Sequence, residues 1–175
     1  MQQAAPEARV ATQEFSGADF REALGAFATG VTVITTRGED HLFGMTANAF
    51  SSVSLDPPLI LVCVIRGTTG AEVIERNAMF AVNILGSHQE PISRYFASKD
   101  RPRGLQAFDE IPHSTAVTGC PIVNGAAGYL DCRLHAAHEA GDHIIFIGEV
   151  LALGQEASVE PLVFHGGRYR VVADA

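Results

Sequence analysis

Thr46, Asn48, Ser51, Ser52 and Ser54 interleave with small and apolar residues over Gly44-Met45-Thr46-Ala47-Asn48-Ala49-Phe50-Ser51-Ser52-Val53-Ser54-Leu55, and Asp56-Pro57-Pro58 closes the run. Hydroxyl and amide groups at that spacing offer several neutral hydrogen bonds to a polyol or to a heteroaromatic edge without burying a formal charge. Read as one β-strand, the segment is a polar platform for a ligand. It also reads as a Ser/Thr-rich strand with one solvated face, which is common in antiparallel sheets. On local chemistry alone that plainer reading stands ahead, and the neighbouring segments change the balance.

Arg66-Gly67-Thr68-Thr69-Gly70 supplies one guanidinium, two hydroxyls and a permissive backbone just before a helix start at Ala71, a combination able to cradle a phosphate. Polar glycine loops are common, so the signal is weak by itself. His143 sits in Gly141-Asp142-His143, where a hairpin turn feeds the apolar strand Ile144-Ile145-Phe146-Ile147. A scaffold holds such a histidine at a strand entrance, within reach of solvent and beside a carboxylate. Its setting alone favours a surface turn somewhat over a site. His135 and His138 are three apart, which on a strand sends them to opposite faces, so no metal pair is expected. His41, His88, His113 and His165 have no carboxylate or cysteine pattern around them.

No Gly-x-Gly-x-x-Gly follows a strand, and no Gly-x-x-x-x-Gly-Lys-Ser/Thr or Gly-x-Ser-x-Gly occurs. Nucleotide chemistry here must therefore use a binding mode other than the Rossmann or P-loop folds, and a serine hydrolase is disfavoured. Twelve basic against twenty acidic residues give a formal net charge of -8, a field that repels phosphate backbones and argues against nucleic acid as a partner. No apolar run approaches the roughly 20 residues that span a bilayer. The three cysteines, Cys63, Cys120 and Cys132, show no Cys-x-x-Cys spacing. Free buried thiols in a reducing cytoplasm are the natural expectation.

These groups need elements to position them. With 175 residues, 47% of them hydrophobic and 18% charged, the chain is long enough for one domain with a substantial core. Residues 1–15 read as a flexible leader and 16–175 as a single domain. Ser16-Gly17-Ala18-Asp19 starts a helix with Phe20, Leu24 and Phe27 on one face, ending near Thr29 and Gly30. Val31 to Thr36 is a β-branched strand that turns at residues 37–40 into the platform strand. Leu59 to Ile65 is apolar throughout, as for a central strand covered on both faces. A helix over Ala71 to Arg76, a strand over Met79 to Leu85 and a helix over Gln89 to Ala97 follow. Ser98 to Ile111, charged and broken by Pro102 and Gly104, reads as a long exposed loop. Three strands, Gly128 to His138, Asp142 to Leu153 and Leu162 to Val172, finish the chain. Antiparallel strands with only short helical inserts point to a closed or half-closed β-barrel.

Together these pieces resemble the short-chain flavin reductase family, the reductase components of two-component flavin-dependent monooxygenases. The resemblance runs from Phe20 to Tyr169. It rests on Phe20-Arg21-Glu22-Ala23-Leu24, Thr29-Gly30-Val31-Thr32-Val33-Ile34-Thr35-Thr36, the platform strand with its Asp-Pro-Pro ending, Phe80-Ala81-Val82-Asn83-Ile84-Leu85 and Gly141-Asp142-His143. It implies a mainly β fold, an antiparallel Greek-key split β-barrel that binds FMN or FAD as a homodimer, with flavin near the subunit boundary. On that basis Thr46, Ala47, Asn48 and Ala49 line the flavin ring and ribityl chain, and the backbone of Cys63 and Val64 meets the ring edge. The loop read above as a phosphate cradle, with Arg66, Thr68 and Thr69, falls where the family binds the flavin phosphate, and His143 matches the family histidine associated with the nicotinamide nucleotide. Two departures stand out. The family's Ser-x-Thr-His reads Thr68-Thr69-Gly70-Ala71 here, keeping only the first hydroxyl, and Ala49 replaces a frequent Ser.

The implied activity is hydride transfer from NADH or NADPH to FMN or FAD, with the reduced flavin passing to a separate monooxygenase. Such a reaction needs binding and orientation more than acid–base residues, because the cofactor carries the chemistry. The alternative within the same barrel is a flavin carrier, or an oxidoreductase that keeps its flavin.

Overall fold

Why the platform segment cannot be one strand becomes clear from the sheet that contains it. In the computed structural model, which describes residues 14–38 and 41–172, the platform breaks at Asn48-Ala49 into two strands at opposite ends of one sheet. The elements in chain order are α1 (Gly17–Gly25), β1 (Thr29–Gly30), β2 (Thr32–Arg37), β3 (Leu42–Ala47), β4 (Phe50–Leu55), β5 (Pro58–Ile65) and α2 (Thr69–Asn77). They continue with β6 (Met79–Ile84), α3 (Glu90–Ala97), β7 (His113–Thr115), β8 (Pro121–Val123), β9 (Gly128–Ala140), β10 (His143–Gln155), β11 (Leu162–His165) and β12 (Arg168–Val171). The main sheet has seven strands in the order β3-β2-β6-β9-β10-β5-β4, antiparallel at every pairing. Its two end strands, β3 and β4, are consecutive in sequence. The link Asn48-Ala49 therefore crosses the seam, where the Cys63 amide donates to the Ala49 carbonyl at 3.0 Å. The sheet curls into a barrel left open along that seam, the split barrel implied by the sequence.

Two cores fill the structure. Ile34, Val62, Val64, Phe80, Val82, Cys132 and Phe146 pack inside the barrel, and α2 adds Ala71 and Ile74. On the other face of β2, Val33 joins Val31, Leu85, Phe96, Phe108, Val123 and Leu162 under α3 and the segment after it. Strands β2 and β6 are thus covered on both faces. Strand β5 is not: Ile60, Val62 and Val64 are buried, whereas Leu59, Leu61 and Cys63 are only half-buried and Ile65 is exposed. Its unbroken apolar run implied double coverage, but one subunit supplies a cover for one face only.

Asn83 pins β8 to the barrel. Its side-chain amide donates to the carbonyls of Val33 at 3.1 Å and Pro121 at 3.4 Å, and its carbonyl accepts from the Val123 amide at 2.8 Å. With no exposure at all, Asn83 is satisfied on both sides.

Four expectations need correction. The first helix stops at Gly25, because Thr29 and Gly30 are drawn into a ladder with Phe164 and Val163 of β11. Its start is as read, with Ser16 and Asp19 closing a capping box. Leu162 to Val172 is a hairpin, since Gly166 and Gly167, at φ 58 and 74, form a turn that other residues enter only with strain. Ser98 to Ile111 is no exposed loop throughout: a helical turn over 104–108 buries Ala107 and Phe108, and Ile111 follows them into the core. Pro58 opens β5 rather than ending a strand, a place where its missing N–H costs no ladder bond. The expected leader lies outside the described residues except for Glu14 and Phe15, as do Glu39 and Asp40 of the turn after β2.

Candidate functional site

The seam opens into a cleft of about 860 Å³. Four features wall it: the outer edge of β3 with the Asn48-Ala49 link, the end of β5 with His143, one face of α2, and a strap formed by residues 97–104. Gly44 is required where the strap's supports meet β3. A Cβ there would lie 2.5 Å from a ring carbon of Phe96 and 3.1 Å from Phe108. Gly70 plays the same part on the opposite wall, where a Cβ would meet the Met45 sulfur at 2.6 Å. These two close approaches set α2 and the strap on either side of β3.

As an end strand, β3 has backbone groups without a strand partner. Arg101 donates to the Gly44 carbonyl, so Gly44 faces the open edge, and strand alternation turns the backbone groups of Thr46 the same way. Arg101 also donates to the Ser98 carbonyl, and its guanidinium lies 5.8 Å from the centroids of Phe43 and Phe96. It therefore fastens the strap to β3.

Thr46, Ala47, Asn48, Ala49, Cys63, Val64, Thr68, Thr69 and His143 all stand on the walls of this one cleft. Several of their polar groups are already committed. The Thr46 hydroxyl donates to the Ser93 carbonyl at 2.6 Å, leaving only its lone pairs for a ligand. The Asn48 amide nitrogen is 3.4 Å from the Thr29 hydroxyl, a weak tether in an exposed setting. Thr68 is the N-cap of α2, accepting from the Ala71 amide at 3.4 Å and donating to the Ile65 carbonyl at 2.7 Å. Thr69 and the first-turn amides of this nine-residue helix are the groups at this end that the cap does not use, and a helix start is suited to an anion.

Arg66 is not on the cleft wall. Its guanidinium reaches Glu139 at 3.1 Å and its backbone amide donates to the Asp142 carbonyl at 2.9 Å, so it ties its loop to the β9–β10 turn. That turn carries His143, whose Nδ1 lies 2.7 Å from the Asp142 carboxylate, which leaves Nε2 for the cleft. The hydrogen bond from His143, reinforced by its charge, holds the Asp142 carboxyl below the usual carboxylate range. Ser51, Ser52 and Ser54 lie on β4 across the seam and line no part of the cleft. His135 and His138 are both exposed on β9, and no metal-binding group of His, Cys, Asp and Glu occurs among the described residues.

Arg76, Lys99, Arg101 and Arg103 also stand on the walls, and among the described residues no Asp or Glu does. In a chain of net charge -8 this concentrates positive potential at one place. From the sequence alone Lys99, Arg101 and Arg103 have no assigned place, and Arg76 is only the end of a helix. The dense basic run over 99–103 in an acidic protein is the signal for the three on the strap, and nothing in the sequence marks Arg76. Arg94 lies elsewhere, paired with Glu90 at 2.7 Å and 4.8 Å from the Tyr169 ring centroid.

Thiol chemistry is disfavoured. Burial pushes the Cys63 and Cys120 thiols up, and Cys132 up to about 12, so all three stay protonated near neutrality. What remains is a binding surface with a neutral polar end and a cationic end, suited to a flat polyol-bearing ring with phosphates.

Residues 24–173 match the flavin reductase like domain. An NADH-dependent FAD reductase from Streptomyces globisporus is 41% identical over 151 residues, 86% of this chain and 82% of that protein. The reductase subunit of a flavin-dependent monooxygenase from Rhodococcus jostii is 33% identical over 97% of this chain and 85% of its own. Among solved structures, the Streptomyces globisporus NADH:FAD oxidoreductase in complex with NAD and FAD fragments superposes with a TM-score of 0.83 at 38% identity, covering 89% of this chain and 92% of that one. The flavin reductase component of a bacterial two-component tryptophan halogenase gives 0.86 at 37% identity, covering 91% of this chain and 100% of its own.

Proposed function

The chain belongs to the flavin reductase-like family, and from that premise we propose how its cleft works. It is an NADH-dependent flavin reductase that moves hydride from the nicotinamide to flavin and supplies reduced flavin to a separate monooxygenase. The observation that carries this reading is the division of the cleft into a neutral polar end at the seam and a cationic end free of described carboxylates.

The donor set fits flavin. Asn48, the Thr46 backbone and the backbone at Ala49 and Cys63 form a neutral frame for the ring and ribityl hydroxyls, and Ala47 with the half-buried Cys63 side chain gives it an apolar bed, while the Val64 side chain is turned into the barrel core. Thr69 and the first turn of α2 take the phosphate, with Arg66 reassigned to bracing the turn at Asp142. Hydride transfer is the chemistry that nicotinamide and flavin supply when bound, and it requires their rings to stack at about 3–3.5 Å. The protein's share is orientation and exclusion of water. His143, steadied by Asp142, projects Nε2 as a hydrogen-bonding group for the nicotinamide nucleotide. No residue here needs to move a proton.

We also place the chain in a homodimer. Phe20, Leu24 and Phe27 on or just after α1 are exposed, since the helix buries none of its residues, and Val53, Leu55 and Ile65 are exposed beside the half-buried outer face of β5. A two-fold partner on these faces would cover apolar surface and close the flavin end of the cleft. The match over residues 24–173 supports reading 16–175 as one domain, and the three free thiols suit the cytoplasm.

The test is NADH oxidation with FAD, FMN or riboflavin added in turn. A saturable increase with added flavin is the expected result. Tightly retained flavin with no flavin-dependent oxidation would indicate a carrier instead.

A further inference from the structure

Thr46 and Asn48 carry donors as well as acceptors, and both donors are spent on partners that do not line the cleft. The Thr46 hydroxyl donates to the Ser93 carbonyl at 2.6 Å, and the Asn48 amide nitrogen is turned toward the Thr29 hydroxyl, 3.4 Å away. What these two side chains keep for a ligand is oxygen lone pairs. The group that fixes the Thr46 hydroxyl is itself held from outside the site. Ser93 is fully buried on α3, and its hydroxyl lies 2.8 Å from that of Tyr169 on β12. Neither Ser93 nor Tyr169 stands on the cleft wall.

We propose that Tyr169, acting through Ser93, is a positioning residue for flavin. It holds α3 where the Ser93 carbonyl locks Thr46 as an acceptor, so that the polar end of the cleft selects O–H and N–H donors of the ligand. A flavin offers such donors in two places, the ribityl hydroxyls and the imide N–H of the ring. The proposal rests on the flavin reductase reading of the cleft.

Tyr169 is braced for this part. Its ring meets that of Phe164, its register partner across the β11–β12 hairpin, edge to face at 5.4 Å between centroids. The Arg94 guanidinium lies over the same ring at 4.8 Å, and Glu90 pairs with Arg94 along α3. The hairpin therefore grips α3 at two adjacent residues, Ser93 and Arg94. One turn further on, Phe96 packs where Gly44 of β3 leaves no room for a Cβ, so the depth of α3 on β3 is fixed from both sides. Without the Tyr169 hydroxyl, the buried Ser93 hydroxyl turns back on a carbonyl of its own helix, the usual alternative for a helical serine, and bends it. Thr46 then loses its fixed partner, and its hydroxyl spends part of its time presenting a donor to a ligand donor. A side chain locked before binding has no such freedom to lose when flavin enters.

Dissociation constants for riboflavin and lumiflavin, and KM for NADH at saturating flavin, are measured on the full chain. The variants are Tyr169→Phe, Ser93→Ala, Thr46→Val and the double variant Tyr169→Phe with Thr46→Val. Tyr169→Phe and Ser93→Ala should each weaken riboflavin about three- to tenfold, the share of one neutral hydrogen bond, with KM for NADH unchanged within about twofold. In the Thr46→Val background the Tyr169→Phe loss should vanish, because no hydroxyl is left to position. Thr46→Ser keeps the hydroxyl and should keep the Tyr169 effect. Lumiflavin has the ring N–H but a methyl in place of the ribityl chain, so it tells the two donors apart. A loss confined to riboflavin supports the proposal with a ribityl hydroxyl as the donor, and an equal loss with lumiflavin supports it with the ring N–H. Losses that add in the double variant, or a KM for NADH that rises in step, would show only a general shift of α3 and overturn the proposal. Unchanged riboflavin affinity in both Tyr169→Phe and Ser93→Ala would overturn it as well. A parent protein that binds no flavin would defeat the flavin reductase reading instead.

Discussion

Arg101→Ala should loosen the strap before it affects anything else. Arg101 joins the Ser98 and Gly44 carbonyls through one guanidinium, with Phe43 and Phe96 beside it. Each such bond from a charged donor contributes about 1.5–3 kcal/mol when buried. Arg101 is only half-buried, so solvent screening reduces the pair to about 1–2 kcal/mol together. That is a factor of 5–30, roughly, in the population of an opened strap. Amide hydrogen exchange over residues 98–104 in the ligand-free protein should quicken by that factor, and the KM for NADH should rise with it. Exchange at the parent rate would refute the latch. If KM rose all the same, Arg101 would be acting by touching the ligand and not through the strap.

Asn83→Leu removes the amide that serves Val123, Pro121 and Val33 in a fully buried setting, so denaturant unfolding should show a loss of about 2–4 kcal/mol. A loss under about 1 kcal/mol would show that β8 is held by other means. His143→Ala should raise the KM for NADH and leave flavin affinity nearly unchanged if, as proposed, the imidazole steadied by Asp142 serves the nicotinamide nucleotide. Unchanged steady-state constants would return His143 to a surface turn. The Asp142 carboxyl is depressed in the folded state, so its contribution to stability is present above the unfolded pKa and is lost as pH falls through the lower folded value. Asp142→Asn should flatten that part of the acid limb in unfolding measured against pH, and an identical acid limb would remove the coupling.

How much of this was legible in the sequence differs by residue. Thr46 to Ala49, Cys63, Val64 and His143 converge on one cleft from segments far apart in the chain, as their shared motif pattern implied. The break at Asn48-Ala49 was not legible. The doubled apolar pair Ala49-Phe50 is the one interruption of the alternation there, a signal too small to mark a break, and closure of the sheet forces the chain to change strand position. Strand β5 misled because an apolar run carries no record of what covers it, another element of the same subunit or a second copy. Residues 98–111 misled because Pro102, Gly104 and the charges resemble solvent-facing loop chemistry, while Phe108 and Ile111, the anchors, are sparse. Thr68 shows a subtler limit. Its hydroxyl was read as a phosphate ligand, and the helix takes it first as a cap.

The central claim is that flavin enters oxidised and leaves reduced, as a substrate. Anaerobic mixing of the protein with excess NADH and a large excess of FAD, followed through the flavin absorbance, measures this directly. Many flavins should be reduced per subunit, and reduced flavin should pass freely through an ultrafiltration membrane. Reduction that halts at one flavin per subunit, with the reduced flavin retained by the protein, would contradict it.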